Sequence, residues 1–293
     1  MYRIKKGEII GLAATARFIE PQNLSYFINW LENKGLKIKP AKNLLTKFHQ
    51  FAGNDNFRAE CFQEFLEDDD LSAIWIVRGG YGTSRILNQL DWSKFQKNPK
   101  WIIGFSDITL LHLQLASLGI PSIHGEMPSR FGTVPIENYE KVLQILFNGN
   151  YHYQLPINSS EETKILGKII GGNMSLFCHS IGNPKINLGE NYLLFLEDLE
   201  EYYYHIDRMS IQMANHGIFN KCNGVLLGSF TDMKDNEIPF GLSIKEIFEE
   251  ITNKPVYEGL PFGHSLENFA FIHGVNIQIE KSKNYLNIIQ KIL

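Results

Sequence analysis

The segment Trp101-Ile-Ile-Gly-Phe-Ser-Asp-Ile-Thr109 constrains this chain more than any other: an apolar run stops on Gly-x-Ser-Asp and restarts as a helix. A strand buried on both faces reads as continuous apolar residues, as Trp101, Ile102 and Ile103 do. Gly104 permits a sharp turn, and Asp107 and Thr109 suit the first turn of a helix. A serine held at such a corner points its hydroxyl out of the sheet. Backbone N–H groups at the following helix start can there bind a developing oxyanion. The motif is not the Gly-x-Ser-x-Gly of α/β-hydrolases, because Ile108 replaces the second glycine. Taken alone it also fits a Ser106 that only caps the helix, serine being among the commonest capping residues.

The surrounding pattern alternates. Strand-like segments at Glu8–Ala14, Leu36–Pro40, Ala73–Val77, Trp101–Phe105 and Ile120–His124 are separated by helical ones at Asn23–Asn33, Phe57–Glu67 and Ile136–Phe147. This predicts right-handed βαβ units around a parallel sheet, a flavodoxin/Rossmann-like α/β domain over residues 1–150. Ligands of such sheets bind beyond the carboxyl ends of the strands, where both Arg78-Gly-Gly-Tyr-Gly82 and Ser106 fall. The polar stretch 151–163, with Gln154, Pro156, Asn158, Ser159, Ser160 and Glu161, is expected to be a linker. Residues 164–293 mix strands (165–170, 192–196, 224–230, 271–279) with helices near Asn173, Ile206 and Ile244, and predict a smaller α+β domain.

Three further segments carry chemistry: Ile74-Trp-Ile-Val-Arg-Gly-Gly-Tyr-Gly-Thr83, Leu194-Phe-Leu-Glu-Asp198 with Ile206-Asp-Arg-Met209, and Gly259-Leu-Pro-Phe-Gly-His-Ser265 with Asn268 beyond it. With the Ser106 segment, in this order, they resemble the LD-carboxypeptidases, serine peptidases of the muramoyltetrapeptide carboxypeptidase family. The likeness extends from Gly7-Glu-Ile-Ile-Gly11 to the C-terminal strands. It implies Ser106 as nucleophile, Glu197 as carboxylate and His264 as general base, and a C-terminal domain of the swivelling β/β/α kind. The implied reaction releases the terminal D-alanine from cell-wall tetrapeptides, in peptidoglycan recycling. Two alternatives remain open at this point. One is a relative that hydrolyses peptidyl-nucleotide antibiotics, for which Phe131 and Tyr202-Tyr-Tyr204 are the candidate nucleobase-stacking residues. The other is a non-catalytic muropeptide-binding module, which has no need of the three triad residues.

Each group has a plainer reading. Adjacent strand residues point to opposite faces, so Glu197 and Asp198 cannot both face the histidine, and the cluster alternatively pairs with Arg208. Glu200 and Glu201 are expected to face substrate or solvent. His264 is one of nine histidines. His112 lies six residues beyond Ser106, about 600° of helical rotation away, and is expected to pack. His124 also follows a short strand and competes for the role of base, with a supporting place at the rim as its expected one. His205 stands where the family more often carries arginine.

The glycine turn lacks Gly-x-Gly-x-x-Gly and Gly-Lys-Ser/Thr, which argues against nucleotide binding. It instead suits a close approach to a peptide carbonyl, with Gly80 and the Asp107 amide as oxyanion donors. Arg78 is expected either to bind a substrate carboxylate bidentately or to form a structural Arg–Asp pair.

A net charge of −4 without a Lys/Arg cluster gives no sign of nucleic-acid binding. Cys61, Cys178 and Cys222 have no C-x-x-C spacing, so neither a disulfide framework nor a cysteine zinc site is expected. No His-x-x-x-His or His-Glu-x-x-His spacing appears, and no metal or cofactor is expected. Without an apolar leader or a membrane-length run, the expected setting is cytoplasmic, with a muropeptide substrate, no membrane partner and a homodimer.

Overall fold

The computed structural model describes residues 3–156 and 162–291. Its strands, in chain order, are β1 (Ile9–Ala13), β2 (Lys37–Pro40), β3 (Leu71–Ile76), β4 (Trp101–Gly104), β5 (Ser122–His124), β6 (Asn150–Pro156) and β7 (Thr163–Asn173). They continue with β8 (Tyr192–Leu199), β9 (Cys222–Thr231), β10 (Val256–Tyr257), β11 (Phe271–His273), β12 (Asn276–Lys281) and β13 (Tyr285–Lys291). One sheet runs β11-β5-β4-β3-β1-β2 and the other β10-β9-β8-β7-β12-β13-β6.

In the first sheet β1 to β5 are parallel, as the alternating pattern predicts. Every residue of β3 and β4 is buried, because helices cover both faces. Phe27 of the helix Pro21–Asn33 meets Trp75 edge-on at 5.0 Å between ring centres. The helix Asp55–Glu67 starts at Asn54, whose side chain accepts from the Phe57 N–H at 2.9 Å. In the second sheet β10, β9, β8 and β7 are parallel, and β12, β13 and β6 continue it antiparallel.

The helix Thr109–Ser117 follows the Ser106 corner and buries every residue from Thr109 to Leu115. A helix apolar on all sides must be enclosed. It packs against β5 of the first sheet, and against β7 and the helix Met174–Ser180 of the second half. The Thr109 hydroxyl accepts from the Asn173 N–H at 2.9 Å. One buried apolar cluster continues from Ile103 and Ile123 of the first sheet to Phe195 and Ile277 of the second.

Two expectations are corrected. Residues 150–156 are a strand, not a linker: β6 pairs with β13 along its whole length. The stretch is polar only on its exposed face, and Tyr151 and Tyr153 point alternately inward and stack at 4.3 Å. Of the rest of the expected linker, residues 157–161, with Asn158, Ser159, Ser160 and Glu161, lie outside the described residues, and Thr163 already opens β7. The strand expected over 271–279 is two strands divided at Gly274 and given to different sheets. β11 returns from the second half to pair antiparallel with β5, so the C-terminal segment also completes the first sheet.

Gly171 shows how closely β7 and β8 are fitted. Its φ is +140°, and a Cβ there would stand 1.8 Å from the carbonyl oxygen of Phe195. Backbone cannot yield as a side chain does. Gly171→Ala combines overpacking with a disallowed φ, for a loss of about 2–6 kcal/mol. A denaturation midpoint within error of the wild type would contradict this.

Candidate active site

Ser106 follows β4 at φ +62°, a left-handed conformation that costs a non-glycine residue about 1–3 kcal/mol. Strain of this kind persists only where the surroundings impose it. Here the chain must leave a buried strand and start a helix within a few residues. Ser106 makes no capping bond, so the plain reading of it as an N-cap is not what the fold uses. Its hydroxyl instead lies 3.0 Å from His264 Nε2.

His264 stands on the turn before β11, and its Nδ1 lies 2.6 Å from Glu197 Oε2. A carboxylate accepts only, so Nδ1 carries the proton and Nε2 is left to accept from the serine. The ring packs against Phe105 at 4.9 Å. Burial pulls the imidazole toward neutrality, but the charge of Glu197 and its hydrogen bond outweigh burial and hold the histidine above its usual value of 6.5.

Glu197 and Asp198 diverge as adjacent strand residues must. Glu197 is fully buried beneath His264, while Asp198 faces away and accepts from Asn173 Nδ2, the Ser175 N–H and Ser175 Oγ at 2.8–2.9 Å. Neither is paired with Arg208, which lies over the Tyr204 ring. The three residues thus form one hydrogen-bonded line across both sheets: Ser106 after β4, Glu197 on β8, His264 on the turn leading to β11.

A cleft of about 480 Å³ opens over this line. Gly80, Arg78, Arg130, Glu200 and Glu201 line it with Ser106 and His264. The Asp107 side chain is fully buried and accepts from the Thr83 N–H at 2.9 Å, tying the glycine turn after β3 to the serine corner. Burial pushes its carboxyl above the usual carboxylate range. A Cβ on Gly79 would lie 3.4 Å from the Asp107 nitrogen, so the glycine turn abuts the serine corner one residue before Gly80. Arg78 is half-buried and donates to the Phe18 carbonyl at 3.2 Å, and the alternative Arg–Asp pair is not formed among the described residues.

Other histidines sit elsewhere. His112 is buried between Ser122 Oγ at 2.7 Å and the Gly104 carbonyl at 2.9 Å, a packing role as expected. His124 is not at the rim. It is fully buried, stacked on Phe271 at 4.6 Å and 3.3 Å from Asn268 Oδ1, so it supports the turn beneath His264. His205 Nδ1 is 2.5 Å from Glu201 Oε2. Phe131, partly buried, packs against Phe27, Trp30 and Tyr139, and Tyr202 and Tyr204 pair with each other outside the cleft lining.

Sequence reasoning overlooked Arg130 and Asn138, which hold the His264 turn together with Asn268. Arg130 donates to the Ser265 carbonyl at 2.9 Å and pairs with buried Glu126 at 3.2 Å. Asn138 donates to the Leu266 carbonyl at 2.8 Å and accepts from the Asn268 N–H at 3.2 Å. Asn268 Oδ1 in turn accepts from the Gly263 N–H at 2.9 Å. Only the Glu126–Arg130 spacing carried a sequence signal. Arg17, which also lines the cleft, carried none.

Residues 10–125 match the LD-carboxypeptidase N-terminal domain, and residues 166–279 the LD-carboxypeptidase C-terminal domain. The chain is 30% identical over 277 residues to a probable murein peptide carboxypeptidase of Bacillus subtilis, covering 91% of this chain and 87% of that protein. It is 29% identical over 290 residues to the murein tetrapeptide carboxypeptidase of Pseudomonas aeruginosa, covering 94% of each. The crystal structure of a muramoyltetrapeptide carboxypeptidase from Oxalobacter formigenes superimposes with a TM-score of 0.87 at 24% identity, over 97% of this chain and 99% of that one.

Proposed function

This chain belongs to the LD-carboxypeptidase family and is a serine-type carboxypeptidase, and from that premise we propose that Ser106, His264 and Glu197 release the terminal D-alanine of cell-wall tetrapeptides. The observation that carries this reading is the unbroken line of hydrogen bonds, 3.0 Å from serine to histidine and 2.6 Å from histidine to glutamate. A serine hydroxyl is a weak nucleophile until a base within hydrogen-bond reach takes its proton. His264 Nε2 accepts that proton as Oγ attacks the carbonyl before the D-residue. Glu197 holds the Nδ1–H tautomer and stabilises the imidazolium. The amides of Gly80 and Asp107 receive the oxyanion. His264 then protonates the departing amine, and water entering by the same base frees the acyl group.

The mechanism needs no metal, because nucleophile, base and charge are all side chains of this protein. EDTA should leave the rate unchanged, and a loss restored by Zn²⁺ would contradict the triad. The functional test is incubation with a tetrapeptide bearing a diaminopimelate third residue, followed by chiral detection of free D-alanine. An intact tetrapeptide would instead fit a binding module. The same reading carries a cytoplasmic site of action in peptidoglycan recycling and a homodimeric assembly, the latter measurable by light scattering.

A further inference from the structure

The loops that leave β1 and β3 bound one end of the cleft. Those strands are neighbours, while β2 pairs with the far side of β1 and β4 with the far side of β3. At such a switch point consecutive loops diverge and leave a crevice beyond the strand ends. Arg17 stands on the β1 side of this crevice and Arg78 on the β3 side, both lining the cleft.

Their charges are unanswered. Arg130, the other arginine of the cleft, is paired with Glu126 at 3.2 Å. Neither Arg17 nor Arg78 has a carboxylate within ion-pair distance among the described residues. Arg17 donates from Nη2 to Gln50 Oε1 at 2.9 Å, yet its buried Nε–H has no acceptor. Arg17 therefore keeps a hydrogen-bonding position that an anion can use.

Distance favours a particular anion. Gly80 has φ +101°, and a Cβ there would lie 2.7 Å from Arg17 Nε, so only glycine lets the guanidinium rest on this turn. Gly79, one residue earlier, abuts the Asp107 amide beside the nucleophile. The cation is thus set off from the reacting serine by a Gly-Gly step. In a peptide cut at its last bond, the terminal carboxylate lies one residue, about 3.8 Å of Cα spacing, beyond the scissile carbonyl.

We infer that Arg17, with Arg78 beside it, binds the carboxylate of the terminal residue and thereby restricts cleavage to the last bond of a peptide with a free C-terminus. The inference rests on the substrate reading above. It adds a residue that determines specificity: the planar fork of Arg17 meets a carboxylate in a way that a neutral amide cannot match.

The experiment compares one tetrapeptide as its free acid and as its C-terminal amide, with the wild type, Arg17→Ala and Arg17→Lys. The wild type should favour the acid by about 100-fold or more in kcat/KM, through release of D-alanine over D-alaninamide. Arg17→Ala should lower kcat/KM about 100-fold for the acid, mainly through KM, and less than about threefold for the amide, so that the preference collapses. Arg17→Lys should restore part of it, returning the charge without the fork. Equal losses on both peptides would mean that Arg17 only props the Gly80 turn, and an unchanged preference would place the carboxylate elsewhere. Either result overturns the inference. Release from neither peptide by the wild type overturns the substrate reading and this inference with it, and is recognised before any variant is made.

Discussion

Ser106→Ala lowers turnover of the tetrapeptide by about 10⁴- to 10⁶-fold, the scale on which serine triads lose rate when the nucleophile is removed. Among the described residues the side chain bonds to His264 and takes no part in capping, so its loss should leave the fold in place. Alanine at φ +62° inherits the same backbone strain, and the corner gains no stability from the change. Residual hydrolysis would come from substrate binding and from stabilisation of the oxyanion formed by direct attack of water. The measurement is D-alanine release at saturating peptide, with circular dichroism to confirm folding. More than about a tenth of wild-type turnover in a folded variant would remove Ser106 from the role of nucleophile, and the short contact to His264 would need another explanation.

The candidate site was legible because each of its three residues ends a stretch that sequence reads well. Ser106 and Glu197 close apolar runs, and the contrast between such a run and the polar group that ends it survives in any context. His264 sits among Gly259, Pro261 and Gly263, which mark a turn. The parallel sheet was legible for the same reason. What escaped depends on partners distant in sequence. β6 is polar on its exposed face and reads as a linker until β13 is placed against it. The division of 271–279 between two sheets follows from which neighbours offer free edges, β5 for one piece and β7 for the other. His124 follows a strand as catalytic residues do, yet β11 and the 263–268 turn close over it. Arg17 looks like a surface arginine, because nothing local distinguishes a guanidinium that faces a cleft from one that faces bulk water.

Glu197→Gln separates a working triad from three polar groups that happen to touch, because it should change both the size of the rate and its dependence on pH. The wild-type rate should rise with pH through the titration of His264, since only the neutral imidazole accepts the serine proton. That titration lies above the usual 6.5: burial lowers it, but the Glu197 charge and hydrogen bond raise it by more. Gln keeps the shape and removes the charge. Burial then acts without its main opponent, so the ascending limb should move to lower pH even as the plateau falls by about 10⁴-fold, mostly in kcat. A residue that merely braced the turn would lower the plateau without moving the limb. His264→Ala and the His264→Ala/Glu197→Gln double variant should each lose about as much as the larger single change, because groups acting as one unit do not add. His124→Ala should be much milder in rate, since His124 touches Asn268 and Phe271 rather than Ser106. If His124→Ala abolished activity while His264→Ala did not, the base would be misassigned. The proposal that nucleophile and base meet across the two halves of the chain would fall with it.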